Sequence, residues 1–389
     1  MTSFTSPLSL ETSFFAFSPG EWNRLVPSDS VFQEWEFLST LESTGCVGKN
    51  DWVIRILRFQ ENGELLGVLP FYKRFDSYGE YIFDFQWANA FHRAGIPYYP
   101  KFTAAVPFTP VTGARILISP SLSEEKKKEV ILSLLSALKE LGKEEGVSSL
   151  HVLFCKEDEL KLGENAGYVP RLSHQYHWFN RGFETFEDYL STLVKERRKT
   201  IRQERKKVNS LGLTIETLTG NSIEEKHHSI FYRFYEDTHS RKWGQAYLNR
   251  AFFQKIFEVM KHRIHLVLAS DASGRPVGGS FNFWRDDYLF GRYWGALEQI
   301  PNLHFECCYY QLIDYAIKNK MKRVEAGAQG EHKFLRGYEA VPMHSLHYIY
   351  HESGSKAIYD YLEREIKMEE QNIQEYNSHS PIKSLREGT

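Results

Sequence analysis

The sequence has few cysteines, no long apolar run and no N-terminal basic flank, and each absence excludes a class of protein. Its four cysteines contain no Cys-x-x-Cys pair, so neither a disulfide framework nor a zinc site is indicated. No apolar stretch approaches the roughly 18 residues expected of a membrane-spanning helix. Residues 1–20 hold no Lys or Arg, which a secretory signal requires. We therefore predict a soluble, cytoplasmic protein without a bound metal.

The charge balance and the missing catalytic motifs exclude further functions. The 48 basic and 50 acidic residues give a net charge of -2, so no overall field draws the molecule onto DNA or an anionic membrane. The sequence contains no Gly-x-Ser-x-Gly, P-loop or Gly-x-Gly-x-x-Gly motif. Hydrolase, kinase and dehydrogenase functions thereby lose their main sequence support.

The chain contains instead a repeated, aromatic-rich hairpin pattern. Hydrophobic residues make up 42% of the 389 residues and aromatics 15%, which suffices for real cores. Gly63 and Gly274, 211 residues apart, are each followed four residues later by a second glycine and then by an aromatic strand-like run. A strand pattern also precedes each turn, at residues 52–59 and 265–269. Strand, glycine turn and strand therefore form a hairpin that occurs twice.

A helix and further strands follow the hairpin in each half. The helix patterns cover 123–141, which opens on a Ser cap, and 305–319, and strand patterns cover 149–155, 323–326 and 344–351. This order predicts an α/β protein with mixed sheets and two packed domains of the same plan. We place the first domain at residues 1–180 and the second at 181–389, with a basic helix over 193–209 and a helical C-terminal tail.

The basic helix carries the sharpest charge feature of the sequence. Between Lys195 and Lys207 there are eight basic and two acidic residues. Arg198, Arg202 and Arg205 follow one another at i, i+4 and i+7, so they project from one helix face. Arginine binds phosphate in a bidentate manner. The pattern indicates either a phosphate-binding face or a solvated helix whose long side chains cover apolar surface.

A second feature is the stretch from residue 77 to residue 115, in which prolines, glycines and aromatics alternate. Such a stretch is too irregular for a helix and too aromatic for a free loop, so we expect it to line a wall. Desolvation among the rings can shift a carboxyl group toward general-base function. The alternative is that the polar residues satisfy buried turns. These polar residues are Glu80, Asp84, Lys101, Thr109, Thr112 and Arg115.

The third feature lies at the carboxyl end of the predicted strand 323–326, an edge at which ligands of open α/β sheets bind. Three glycines between residues 327 and 337 permit close approach of the backbone. A base and several cations come with them, namely Glu325, His332, Lys333 and Arg336. The pattern indicates a ligand site, or else a structural turn with ordinary surface charges.

Several long segments resemble one family. They are SYGEYIFDFQWANAF, YYPKFTAAVPFTPVTGARIL, HWFNRGFETFEDYLSTL, KERRKTIRQER, GGSFNFW and GAQGEHKFLRGYEAVPMHSLHYI, and the matches run from about Trp22 to about Tyr350. They resemble the bacterial Fem-like branch of the GNAT acyltransferase superfamily, described as acting in peptidoglycan biosynthesis. The resemblance implies two GNAT-like folds in tandem, in agreement with the repeated hairpin.

The resemblance also implies an activity. Fem relatives transfer an amino acid from aminoacyl-tRNA to an amine on a cell-wall precursor, whereas ordinary GNAT enzymes transfer acetyl from acetyl-CoA. The pyrophosphate loop of ordinary GNAT enzymes falls here at residues 297–304, which contain no glycine, and this departure favours the Fem-like donor. We predict an acyltransferase with no tightly bound cofactor, which acts on a small amine or a cell-wall precursor. An acetyl-CoA-dependent N-acetyltransferase and a non-catalytic recognition protein are the alternatives.

The residue roles follow from the same comparison. Lys333 and Arg336 match the Lys-containing segment of the Fem second domain, which holds phosphate or developing negative charge, and His332 lies beside them. Glu80, Asp84 and Glu325 are the candidates for the base. Arg198, Arg202 and Arg205 would contact the tRNA backbone or a nucleotide diphosphate. Lys101, Thr109, Thr112 and Arg115 would bind substrate from the aromatic wall.

Overall fold

A computed structural model describes residues 7–49, 51–241, 246–327 and 330–386. The chain divides into unit 1, residues 1–173 and 342–370, and unit 2, residues 174–341 and 371–389. The strands are β1 Leu8–Glu11, β2 Val53–Glu61, β3 Glu64–Arg74, β4 Lys101–Ala104, β5 Leu117–Ile118, β6 Ser149–Cys155, β7 Val169–Phe179, β8 Thr214–Thr219, β9 Ile264–Ser270, β10 Pro276–Arg285, β11 Tyr288–Ala296, β12 Arg323–Glu325 and β13 Glu339–Ile349. The α-helices are α1 Pro19–Asn23, α2 Trp35–Ser43, α3 Phe85–Arg93, α4 Glu124–Glu144, α5 Glu157–Asn165, α6 Phe186–Thr192, α7 Lys195–Asn209, α8 Lys226–Arg241, α9 Arg250–Val259, α10 Leu303–Phe305, α11 Gln311–Lys318, α12 Glu352–Ser378 and α13 Lys383–Arg386.

Unit 1 is built on a sheet with the strand order β1-β2-β3-β4-β6-β13, and β5 pairs with β3. Its neighbouring strands are antiparallel except for β4 and β6, which are parallel. Helix α4 connects these two strands, as a parallel pair requires. The Ser123 hydroxyl caps its first turn, and its apolar side chains, Leu134 and Leu138 among them, pack in the same core as Phe71 and Phe102 of the sheet.

Unit 2 repeats this plan. Its strand order is β8-β9-β10-β11-β12-β7, again antiparallel except for one parallel pair, β11 with β12. The connection between the parallel strands is α10, a π-helical turn at Glu306–Tyr310, and α11. The predicted α/β class with mixed sheets and a repeated hairpin is therefore confirmed.

The division of the chain differs from the predicted one at 180/181. Unit 1 ends at Ser173 and regains the segment Pro342–Glu370, which we had assigned to the second domain. In this segment β13 pairs antiparallel with β6, as in His347 with His151. Unit 2 obtains its corresponding strand from β7, which precedes its other five. Each unit therefore takes its sixth strand from the part of the chain that the repeat assigns to the other unit. Strand β13, which the sequence pattern places at the end of the second half, belongs to the sheet of unit 1.

Two different constraints require glycine in the repeated hairpin: the backbone conformation at the turn and the close approach of neighbouring atoms. Gly63 and Gly274 both adopt φ +81 at the turn, a conformation that glycine adopts without steric cost. The later glycines leave room for neighbours: a Cβ on Gly67 would lie 2.8 Å from Val130 Cγ1 of helix α4. In unit 2 a Cβ on Gly279 would lie 2.3 Å from the carbonyl oxygen of Val267 on the adjacent strand.

We expect Gly279→Ala to lower the free energy of unfolding by about 1–3 kcal/mol, the usual cost of overpacking, because the added methyl group meets backbone that cannot move aside. Urea denaturation measures the effect. Gly20→Ala is the control, since a Cβ there meets no atom within 4 Å. Equal urea midpoints for the two variants would show that the strands around Gly279 pack more loosely than the structure has them.

Candidate functional site

The two parallel strands of unit 2 separate after three residue pairs. Tyr288, Leu289 and Phe290 pair with residues 323–325, and β11 then continues along β10 as far as Ala296. The chain after Glu325 turns away at Gly327, whose φ of +79 favours glycine. The regular pairing of β11 with β12 therefore ends at Glu325, at the carboxyl end of β12. This is the edge at which ligands of α/β sheets bind.

Lys333 is the buried cation at this edge. Its side chain is almost inaccessible, and Nζ donates a hydrogen bond of 2.7 Å to the carbonyl oxygen of Gly327. Burial, together with the nearby charge of Arg292, lowers the pKa of Lys333 to about 7. Close to neutral pH the amine is thus present in both protonated and unprotonated forms. No pattern in the sequence marks Arg292 as part of the site, because it lies on β11, remote in the chain from the glycine-rich loop.

The π-helical turn brings consecutive side chains to the Lys333 loop. Tyr309 OH shares a hydrogen bond of 2.8 Å with Nε2 of His332. Tyr310 OH accepts one of 2.9 Å from Nε of Arg336. A regular α-helix would direct adjacent side chains about 100° apart, whereas the wider turn directs both toward one loop. Such turns occur often at functional sites.

Arg336 fastens the loop to the body of unit 2. Its guanidinium lies 3.4 Å from the ring centroid of Phe305, and Nη2 is 2.6 Å from Oε1 of Glu204 on α7. Its Nη1 donates to the carbonyl oxygen of His332 at 2.7 Å. These contacts favour a positioning role for Arg336, because its charge is already matched by Glu204. Glu204 is one of only two acidic residues between Lys195 and Lys207. Its position among basic residues is the only feature of the sequence that marks it.

Glu325 lies at the end of β12 with its carboxylate buried. Oε1 is 2.6 Å from Nη2 of Arg323, and Oε2 is 3.8 Å from Nε2 of His177. Burial and the charges of Arg323 and Lys333 hold the pKa of His177 well below its usual value, so this imidazole is neutral. Glu325 is thus held by an arginine at the same strand end from which the chain departs toward Lys333.

A cavity of about 490 Å³ lies beside the N-terminal end of α10. Arg241, Trp294 and His304 line it together with residues 298–301. The ring centroids of Trp294 and His304 are 5.3 Å apart, and His304 is 5.7 Å from His332, the neighbour of Lys333. Ring contacts from Trp294 through His304 to His332 therefore connect the lining of the cavity with the loop that carries Lys333. The amide of Leu303 at the start of α10 already donates to Ile300 O, which agrees with the absence of a glycine cradle for pyrophosphate.

The three predicted arginines of α7 have partners within unit 2. Arg198 donates to Leu193 O at 2.6 Å, and the exposed Arg202 pairs with Glu187. Arg205 pairs with Glu306 at 3.0 Å and with Asp314 at 2.7 Å. Arg198 and Arg205 thus join elements of the unit, and only Arg202 of the three is exposed. Four of the exposed cations form a different stripe, Lys195, Lys199, Arg202 and Lys206, at i, i+4, i+7 and i+11, and Lys207 is exposed beside it.

In unit 1 the predicted residues Glu80, Asp84 and Lys101 lie together in a buried ionic cluster. Nζ of Lys101 is 2.8 Å from Oε2 of Glu80 and 2.5 Å from Oδ2 of Asp84. Arg74 adds a second buried cation, with Nη1 2.9 Å from Oε1 of Glu80. The hydroxyl of Tyr98 donates to Asp84 at 2.6 Å. Arg74 and Tyr98 were not predicted as members of this cluster, because nothing in their spacing along the sequence distinguishes them.

Within this buried cluster the charges of the two carboxyl groups are paired with those of Lys101 and Arg74. Lys101 lowers the pKa of Asp84 against the opposing effect of burial, whereas burial raises the pKa of Glu80. Beside them Nδ1 of His151 lies 2.7 Å from Nδ1 of His347. Burial lowers the pKa of His151 to about 3, and that of His347 well below its usual value, so both rings are neutral. This arrangement favours a structural role for Glu80 and Asp84 over that of a catalytic base.

The other residues of the predicted aromatic wall are also inward-facing. Arg115 is buried, and its guanidinium donates to the carbonyl oxygens of residues 111, 113, 114 and 153. Thr109 is buried, and Oγ1 of Thr112 donates to Sδ of Met343 at 2.7 Å. For Arg115 and Thr112 these contacts favour the alternative that the side chains satisfy polar groups inside unit 1.

Among residues 7–49, 51–241, 246–327 and 330–386, no three or more His, Cys, Asp or Glu side chains are grouped so that they could hold a metal ion. No helix within those ranges combines the length and the apolar character that crossing a membrane requires.

Solved structures of similar fold support the architecture. FemX has 12% identity and a TM-score of 0.53, and the match covers 88% of this chain and 98% of that one. L-PGS from Bacillus licheniformis has 10% identity and a TM-score of 0.51, over 82% and 93% of the two chains. The C-terminal domain of a protein described as a lysylphosphatidylglycerol synthetase, from Agrobacterium fabrum, has 8% identity and a TM-score of 0.54, over 89% and 95%.

The sequence itself matches a family profile along nearly its whole length. No curated protein sequence matches the chain. The profile of the FemAB-like family, described as peptidoglycan biosynthesis/recognition, matches residues 13–384. The chain therefore belongs to the FemAB-like family.

Proposed function

We propose that the protein transfers an aminoacyl group from aminoacyl-tRNA to an amine of a cell-wall precursor, with the chemistry at the carboxyl end of β12. The observation that supports this most strongly is Lys333, a buried amine whose pKa is about 7 beside that edge. A general base is most effective when its pKa lies near the operating pH. The family match supports the substrate class.

The proposed step uses the unprotonated amine of Lys333. It accepts a proton from the ammonium of the acceptor, and the resulting amine attacks the ester carbonyl carbon of the donor. The C–N bond forms, the C–O bond to the tRNA ribose breaks, and protonated Lys333 returns its proton to the leaving oxygen. The attacking nitrogen loses a second proton to solvent, so the reaction releases one proton overall. No covalent enzyme intermediate is needed.

The cavity beside α10 is the proposed place for the acceptor end of the tRNA. Its rings, Trp294 and His304, offer faces on which a base stacks, a contact worth about 1–3 kcal/mol per base. The exposed stripe of Lys195, Lys199, Arg202 and Lys206 is the proposed phosphate contact. It replaces the arginine face predicted from the sequence, because Arg198 and Arg205 are held within the unit.

We expect Lys199→Glu/Lys206→Glu to weaken binding of bulk aminoacyl-tRNA and to reduce the slope of log affinity against log salt by about one per lost phosphate contact. Fluorescence titration at several salt concentrations measures both. Lys226→Glu/Lys255→Glu makes the same change of net charge on exposed positions of α8 and α9 and serves as the control. Equal weakening by the two pairs would mean that net charge, and not α7, governs binding.

The donor is tested directly by a transfer assay with labelled aminoacyl-tRNA, acetyl-CoA and a UDP-linked peptidoglycan precursor. Transfer of the aminoacyl group to the precursor supports the proposal. Transfer only from acetyl-CoA would assign the protein to the ordinary N-acetyltransferases. Binding of the precursor without transfer from either donor would identify a recognition protein.

A further inference from the structure

Unit 1 contains a cavity of about 440 Å³ that the proposed transfer reaction does not use. This volume lies within the roughly 300–1,000 Å³ typical of small-molecule sites. The cavity lies between the segment after α1, strand β5, the first turns of α4, and α5. Its floor is apolar and includes Leu25, Val26, Ile116, Ile118, Ile131 and Leu162.

The rim of this cavity is mainly cationic. Its cations are Arg24, Lys127, Lys128, Lys156 and Lys161, against three acidic residues, Glu124, Asp158 and Glu159. Glu159 is turned inward, where its carboxylate accepts hydrogen bonds from the amides of Arg115 and Ile116 at 2.7 and 2.6 Å. The rim therefore presents an excess of positive charge over an apolar floor.

Three of the five rim cations are available to an anion at low cost, whereas Lys156 is paired with Asp29 at 2.8 Å and Arg24 lies 4.0 Å from Glu64. The ion pair of Lys161 with Glu157 is exposed, and that of Lys127 with Glu124 lies at the surface. Such surface pairs are worth about 0–1 kcal/mol each, so a bound anion replaces them readily. Lys128 is exposed.

The position of the cavity corresponds to that of the polar cavity in unit 2. Each lies beside the N-terminal end of the helix that connects the two parallel strands, α4 in unit 1 and α10 in unit 2. Their linings differ, since the unit 2 cavity has Arg241, Gln299 and His304 where unit 1 has aliphatic side chains. The duplicated fold has thus kept a cavity at one place in both units with different chemistry.

We propose that the unit 1 cavity binds an anionic amphiphile: an unbranched hydrocarbon chain on the apolar floor, with a phosphate or carboxylate head group at the lysine rim. Burying the chain supplies affinity in proportion to the apolar area removed from water, and the lysines select for a negative head group. The inference stands apart from the transfer reaction, because the residues that carry it belong to the other unit.

Titration calorimetry of the full-length protein with four probes tests this proposal. The probes are dodecyl phosphate, dodecanoate, dodecanol and inorganic phosphate, all below micelle-forming concentrations. Dodecyl phosphate and dodecanoate distinguish the two head groups, and we expect at least one of them to bind ten or more times tighter than dodecanol and than inorganic phosphate. If dodecanol bound as tightly as the anionic amphiphiles, the lysines of the rim would not contribute to binding. If inorganic phosphate bound as tightly, the apolar floor would not contribute. Either result would contradict the proposal.

Variants assign the binding to this cavity. Lys127→Gln/Lys128→Gln is expected to weaken the better anionic probe about tenfold and to leave dodecanol unchanged, whereas Leu162→Glu weakens all probes that carry a chain. Lys143→Gln, at an exposed position near the end of the same helix, leaves binding unchanged. Binding of an anionic probe that resists both the lysine pair and Leu162→Glu would overturn the proposal, because the ligand would then lie elsewhere.

Discussion

Replacement of Lys333 by methionine is expected to lower kcat/KM for acyl transfer by about 10²–10⁴-fold, the usual contribution of a positioned general base. Methionine keeps an unbranched apolar side chain of similar length, so the buried site remains filled. The variant loses the hydrogen bond to Gly327 O together with the amine. Transfer of the labelled aminoacyl group to the precursor measures the loss, and thermal unfolding checks that the fold is kept.

The pH profile separates proton transfer from simple charge. Because the unprotonated amine is the active form, kcat/KM of the unchanged protein should rise with pH through about 7 and level off above it. Lys333→Arg keeps the positive charge but stays protonated throughout this range, so we expect it to be as inactive as the methionine variant. Lys318→Met removes an exposed lysine of unit 2 and should change neither the rate nor the profile.

Two results would reject this role. If Lys333→Arg retained activity, the residue would act by its charge, as the family resemblance first implied. If kcat/KM fell as the pH rose through 7, the protonated ammonium would be the active form, and another group would accept the proton. Glu325, buried at the end of β12 and paired with Arg323, is the remaining candidate in unit 2.

The sequence predicted elements whose signals are local. The helix over 123–141 and the strand over 149–155 correspond to Glu124–Glu144 and Ser149–Cys155, because a cap and an apolar periodicity lie within each segment. The exchange of β13 and β7 could not be predicted, since the period of a strand shows which face is buried and not which strand is its neighbour. The bounds of the two compact units differ from the predicted boundary at 180/181 for this reason.

For the candidate site, too, the sequence predicted what is local, namely which residues share a loop, and not which distant residues they contact. His332, Lys333 and Arg336 were found because they share one glycine-rich loop, but their differing roles depend on distant partners. Arg336 is matched by Glu204 of α7, and Lys333 is influenced by Arg292 of β11. Helical spacing placed Arg205 on one face of α7 correctly, yet it cannot show that Glu306 and Asp314 pack against that face.

In unit 1 we expect Lys101→Met to lower the free energy of unfolding by about 3–5 kcal/mol, the cost of removing one partner from a buried ion pair. Glu80 and Asp84 would remain buried with only part of their negative charge matched, by the pairing of Arg74 with Glu80. Urea denaturation at pH 7 measures the change. Lys73→Met is the control, because Lys73 lies on the neighbouring strand and pairs with Glu145 near the surface, where such pairs are worth about 0–1 kcal/mol.

The pH dependence tests the cause of this loss. In the folded protein Lys101 holds the pKa of Asp84 below its ordinary value, so this carboxylate stabilises the fold above the unfolded pKa of about 4, and its contribution disappears as the pH falls through the folded pKa. Without Lys101 the pKa of both carboxyl groups rises, and they become neutral at higher pH. The difference in stability between Lys101→Met and the unchanged protein should therefore be greatest near pH 7 and smaller near pH 5. A difference that stays constant between these pH values would indicate lost packing of the lysine chain rather than unmatched charge.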